Sequence, residues 1–151
     1  MSSPDVDAFV AYATAFEKSY AEDDWSHVDR LTHDDVVWSA VGAPPPFGGV
    51  WSGRRDTLAQ VRTSVGAFDR RFDERVPRIL AGPTPIPGGI HMSWAVVYRR
   101  AGLPDLELRG EEWDLFQDGK LVLHREVIHN ARETVDFLAK HAAKLRPARS
   151  S

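Results

Sequence analysis

The pair Asp118-Gly119 constrains this chain more tightly than any other feature. Asp and Gly both tolerate left-handed backbone, and here they separate two strand-like runs, LELRGEEWDLFQ and KLVLHREVIH. That combination predicts an antiparallel hairpin with a two-residue turn. With straight pairing from that turn, Gln117 faces Lys120, Leu115 faces Val122, Trp113 faces His124 and Glu111 faces Glu126. Two carboxylates then stand opposite each other, flanked by Trp113, His124 and Arg109. Like charges at such positions destabilise a sheet. In a pocket, one carboxylate raises the pKa of the other and the two become an acid–base pair. The opposite face pairs Glu112 with Arg125, as a solvated face would.

The rest of the chain supplies what such a hairpin packs against. Ser3 and Pro4 are a helix start, and Val6, Phe9, Val10, Ala13, Phe16 and Tyr20 recur at helical spacing to about Ala21. A short second helix carries Trp25, Val28 and Leu31. Asp35 to Ala40 reads as a strand, and Gly42 to Gly53 as a Pro/Gly-rich loop holding Phe47 and Trp51 as lid or anchor. Arg54 to Ala67 reads as a third helix. Four strands follow, over 71–80, 89–99, 107–117 and 120–129, with a Pro-rich turn over Gly82 to Gly89. Asn130, with Glu133 three residues on, predicts a capped final helix. It ends before Pro147, and 147–151 is expected to be a disordered tail. Residues 1–146 are expected to form one domain. Helices first and antiparallel strands later mean α+β: a curved antiparallel sheet packed on three to four helices, shaped as a cone whose wide end is an apolar pocket.

Composition removes several classes of function. The 151 residues are 42% hydrophobic and 27% charged, which suits a globular chain with a real core. The net charge of −3 gives no general basicity for nucleic acid. Without cysteine there is no disulfide, thiolate catalysis or cysteine metal site. The start MSSPDVDAF has no signal-peptide pattern, and no apolar run is long enough to span a membrane, so a cytoplasmic protein is expected.

The segments AEDDWSHVDRLTHDDVVW, FGGVWSGRRDTLAQV and QDGKLVLHREVIH together resemble the nuclear-transport-factor-2-like superfamily, in particular its SnoaL-like branch. The resemblance covers nearly the whole chain and implies the cone-shaped fold. That superfamily hosts isomerases, cyclases, epoxide hydrolases, dehydratases and non-enzymes, so fold alone does not assign an activity. Ketosteroid isomerases place a Tyr and an Asp where this chain has Phe16 and Ala40. Limonene epoxide hydrolases place a Tyr and an Asn where it has Trp38 and Ala40, and their middle-strand acid is missing from Gly89 to Tyr98; their last-strand acid aligns with Glu126. In SnoaL-like polyketide cyclases the acid–base Asp of the last strand corresponds to Glu126, with Glu111 as the second group.

These readings converge on a small-molecule enzyme with an apolar ligand and Glu126, Glu111, His124 and Arg109 as catalytic residues. Trp113, Trp38, Phe16, Tyr20, Ile128 and Trp51 are the expected substrate-binding residues. The expected chemistry is isomerisation, aldol-type cyclisation or dehydration without an organic cofactor. His124, Glu126 and Glu111 do not match a recognised ligand spacing, and no metal is expected. A homodimer through the sheet is expected, with Phe116, Leu121, Leu123 and Val127 as a possible partner face. The alternatives are a non-catalytic ligand-binding or dimerisation module and an epoxide hydrolase-like activity.

Overall fold

The computed structural model describes residues 2–149. Helix α1 spans Pro4–Glu22, and the Ser3 hydroxyl accepts a hydrogen bond from the Asp5 N–H at 3.3 Å. Helix α2 covers Ser26–Asp29, strand β1 Thr32–Val41, strand β2 Gly49–Ser52 and helix α3 Arg54–Ala67. After a 3-10 turn at Asp69–Arg71 come β3 (Glu74–Ile86), β4 (Gly89–Arg99), β5 (Leu106–Gln117) and β6 (Lys120–Ile128). Helix α4, Ala131–His141, closes the chain. The strands form one sheet in the order β2-β1-β6-β5-β4-β3. The chain therefore has the expected α+β class, with one difference: β1 runs parallel to β6, so the sheet is mixed.

Strand β4 shows which face is inward. Ile90, Met92, Trp94, Val96 and Tyr98 are all buried, whereas His91 and Ser93 lie on the outer face. The inner residues join Phe9 of α1, Phe68, Phe72 and Phe137 of α4 in one apolar cluster. A second cluster gathers Tyr12, Trp25, Val28, Val36, Val61, Val65 and Leu121. Helix α1 thus lies across the concave face with Phe9 in one cluster and Tyr12 in the other.

Two expected loops are partly strand. Trp51 sits in β2, with its Cα opposite that of Trp38 in β1. The Pro-rich stretch extends β3 to Ile86, through register irregularities between Ile79 and Thr84. Pro83 and Pro85 are tolerated because β3 is an edge strand, where a missing N–H costs no interior ladder bond. Asn130 also departs from the capping expectation. Its Oδ1 accepts from the Arg109 N–H at 2.8 Å, and its Nδ2 donates to Glu107 O and Glu133, so it ties α4 to β5. Past α4, the N–H groups of Arg146 and Arg149 donate to Arg71 O and Gly66 O, which holds the expected tail in place as far as Arg149. Residues 150 and 151 lie outside the described residues.

The largest correction concerns the hairpin. Asp118 and Gly119 form the turn with positive φ, 51° and 74°, as expected. Gln117 pairs with Lys120 and Phe116 with Leu121, but then Leu115 pairs with Leu123. The extra residue in β6, Val122, is a β-bulge, and it shifts every later pair by one. Glu112, not Glu111, is opposite Glu126, and Asp114, not Trp113, is opposite His124. The expected apolar partner face is divided as well. Leu121 and Phe116 pack in the core, while Leu123 pairs with Leu115 on the other face, beyond the bulge.

Candidate active site

The inner face of the hairpin brings four titratable residues together at one end of a cavity. The cavity has a volume of about 540 Å³ and is lined mainly by apolar and aromatic side chains, including Phe9, Phe16, Trp38, Trp51, Phe68, Trp94 and Ile128. Asp114 and His124 face each other across β5 and β6 and are both buried, at 1% and 5% exposure. His124 Nδ1 and Asp114 Oδ1 are 2.6 Å apart, a short charge-assisted hydrogen bond. One step along the hairpin, Glu112 faces Glu126. His124 Nε2 lies 3.6 Å from Glu126 Oε2 and has no hydrogen-bond partner, although it is buried. Trp38 stacks on the imidazole with ring centroids 3.8 Å apart, which fixes the ring plane.

The physical environment sets the charge of these groups. Burial works against the His124 cation, but the Asp114 carboxylate and its hydrogen bond, helped by Glu126 and Glu112, outweigh it. The imidazole pKa stands well above its ordinary value. Glu112 is raised well above the ordinary carboxyl range, first by burial and then by the neighbouring Asp114 and Glu126 charges. Both groups are therefore shifted toward their protonated forms. Tyr12 also lines the cavity, and its phenol is raised by burial and by Asp114, so it stays protonated.

Above this floor the cavity wall is held by a second network that runs from the buried Tyr98 out to the exposed Glu17. Asp69 accepts from Tyr98 Oη at 2.9 Å and from Arg75 Nε at 3.1 Å, and Arg75 Nη1 donates to both oxygens of Glu17. These bonds tie α1 to β3 and β4. Tyr20, an expected substrate contact, stands outside the cavity under Arg70 and Arg75, whose guanidinium carbons lie 4.5 and 4.9 Å from its ring centroid.

The expected site residues divide between the two faces of the sheet. Glu126, His124, Trp38, Phe16, Ile128 and Trp51 border the cavity. Glu111, Trp113 and Arg109 do not, because the bulge at Val122 turns odd-numbered β5 residues outward. Glu111 instead hydrogen-bonds to His91 at 2.9 Å and His129 at 3.3 Å, Trp113 lies between His91 and Arg125, and Arg109 pairs with Glu107 and Glu133. Glu112 and Asp114 take their places inside. Their signal was present in β5, whose even positions carry Leu106, Leu108, Gly110 and Phe116 and whose odd positions carry most of the charge. Gly110 is part of the same pattern. A Cβ there would stand 2.6 Å from Val127 O and 2.7 Å from the Trp94 indole, so only glycine lets Trp94 lie over the strand.

No protein-family model matches the chain, and no curated protein sequence matches it. Solved structures do match. A protein from Rhodopseudomonas palustris, described only provisionally as an isomerase, is 18% identical with a TM-score of 0.66, covering 88% of this chain and 96% of its own. An NTF2-like protein of unknown function from Burkholderia pseudomallei is 14% identical with a TM-score of 0.69, over 90% and 98% of the two chains. TerC, crystallised with polyporic acid, is 16% identical with a TM-score of 0.63, over 91% and 99%. At these identities the likeness is one of fold.

Proposed function

We propose that this chain, which has the nuclear-transport-factor-2-like fold, is a small-molecule enzyme that moves protons on an apolar carbonyl compound. The observation that carries the reading is the line Asp114–His124–Glu126, with 2.6 Å on one side of the imidazole and 3.6 Å on the other. Glu126 accepts a proton from carbon next to the carbonyl. His124 supplies one to the developing oxyanion, and Asp114 holds the imidazole in position and stabilises its charge. Protonated Glu112 is a second donor beside Glu126. Trp38 holds the His124 ring, while Phe16, Ile128 and Trp51 form apolar wall. Isomerisation, aldol-type cyclisation and dehydration all use this set of steps, and none needs an organic cofactor.

The test is a panel of apolar enolisable ketones, with polyporic acid as a ligand control suggested by TerC, followed by deuterium uptake from D2O by NMR. Glu126→Gln and His124→Gln are expected to lower exchange by roughly 10²–10⁴-fold, and Glu111→Gln to leave it unchanged. Full turnover by Glu126→Gln would show the mechanism to be wrong. A compound that raises Tm but never exchanges, across the whole panel, would favour a ligand-binding module.

A further inference from the structure

We propose that the floor of the cavity is also a divalent-cation site, with His124 Nε2, Glu126 and Glu112 as ligands and Asp114 as the group that orients the imidazole. This goes beyond the acid–base reading: it uses the same residues, but an ion replaces the proton on Nε2. The first support is the unpartnered nitrogen. His124 is 5% exposed, its Nε2 makes no hydrogen bond, and the nearest carboxylate oxygen, Glu126 Oε2, is 3.6 Å away. That gap is too long for a hydrogen bond, which centres near 2.9 Å. It matches two donors on one ion, since bonds of about 2.0–2.2 Å at a tetrahedral angle put donors about 3.3–3.6 Å apart.

The second support is on the other side of the ring. A metal-bound imidazole characteristically donates its remaining N–H to a carboxylate, which fixes the tautomer and aims the free lone pair. The Nδ1–Asp114 bond at 2.6 Å has that arrangement and leaves Nε2 as the ligand. Glu112 completes the group. One of its carboxylate oxygens lies within 4.8 Å of a ring nitrogen of His124 and of an Asp114 oxygen, and the residue faces Glu126, which meets His124 Nε2 at 3.6 Å, across the hairpin. The cavity above gives an ion a route in and leaves coordination positions for water or substrate. One imidazole with two carboxylates and no thiolate suits Zn²⁺ or Mn²⁺ better than Mg²⁺ or Ca²⁺. On binding, the Nε2 lone pair and the Glu112 and Glu126 carboxylates go to the ion, any protons on Nε2 and Glu112 go to solvent, and Nδ1 keeps its proton toward Asp114.

The straight register put Glu111 beside His124 and Glu126, without a recognised ligand spacing; the bulge puts Glu112 there instead. Two other groupings of histidine and carboxylate serve as controls: Glu22, Asp24 and His27 at the end of α1, and His91, Glu111 and His129 on the outer sheet face.

Tag-free protein stripped with EDTA would be titrated with ZnCl2, MnCl2 and MgCl2, following Tm and heat, and the ion retained after desalting would be counted by elemental analysis. The expected result is one Zn²⁺ or Mn²⁺ per chain, a saturable rise in Tm, and no response to Mg²⁺. Affinity should fall at least 100-fold in Glu126→Gln and in His124→Gln, and be unchanged in His27→Gln and His91→Gln. Glu126 is only half-buried, so its variant reads the site even where His124→Gln fails to fold. Bound Mn²⁺ should also broaden the His124 ring signals. No retained ion at millimolar concentration, or binding that survives Glu126→Gln and is lost in His27→Gln or His91→Gln, would overturn the proposal. Proton exchange by stripped, ion-free protein together with that result would reject the ion site and leave the acid–base reading intact.

Discussion

Glu111 and Glu112 are neighbours in sequence and opposites in chemistry. Glu111 lies on the outer face, half-buried, with hydrogen bonds from His91 and His129 that pull its carboxyl below the ordinary range. Glu112 points into the cavity, where burial first and Asp114 second push its carboxyl well above that range. Each face carries a carboxylate–histidine group built on β5, with His124 of β6 on the inside and His91 of β4 and His129, just past β6, on the outside. Solvent access decides between them: partners favour the charged form where water still screens it, and desolvation favours the neutral form where it does not. An outer-face cluster can thus look catalytic in composition while the reactive one sits a single residue away.

The largest effect separating the faces should come from Asp114→Asn. It removes the carboxylate that holds the buried His124 ring at 2.6 Å, and losing one partner of a buried pair costs about 3–5 kcal/mol. Chemical denaturation should show that loss, while Glu111→Gln stays close to wild type. A smaller effect is expected from Gly110→Ala, because its Cβ meets backbone at 2.6 Å and the Trp94 ring at 2.7 Å. Overpacking of this kind costs about 1–3 kcal/mol, and Trp94 fluorescence should shift with it.

The pH dependence sharpens the same contrast with smaller changes. The Glu112 pKa is raised on folding, so the native state keeps a proton that the unfolded chain releases, and stability falls as pH rises from the ordinary carboxyl range. Glu112→Gln removes that fall, so its stability relative to wild type should improve as pH rises from the ordinary carboxyl range. The His124 pKa is also raised. Its contribution is complete below the ordinary imidazole value of about 6.5 and is lost as pH rises through the raised one. His124→Gln should therefore be most destabilising in acid. The smallest effect belongs to Glu111, whose pKa is lowered. Its contribution is present above the ordinary carboxyl range and disappears as pH falls through the lowered value, so Glu111→Gln and wild type should converge in acid.

Much of the fold was legible because its signals are local. Ser3-Pro4 starts α1, the apolar spacing of Leu58, Val61 and Val65 marks α3, and Asp118-Gly119 sets the turn. The site depended on a register, and register is where one extra residue inverts a face. Leu121, Val122 and Leu123 are all apolar, so the alternation that would place the bulge is absent there. Past Val122, His124, Glu126 and Ile128 fall on the inner face as expected, while all of β5 is exchanged. The parallel pairing of β1 with β6 is a long-range contact with no signal in either strand alone.

The most direct test is a carboxyl-resolved NMR pH titration of Glu111 and Glu112, each assigned by its Gln variant, with the His124 ring nitrogens followed in the same samples. The structure predicts Glu111 below the ordinary carboxyl range, Glu112 well above it, and His124 protonated beyond its ordinary value. Glu111 raised and Glu112 ordinary would restore the straight hairpin register and contradict the site described here.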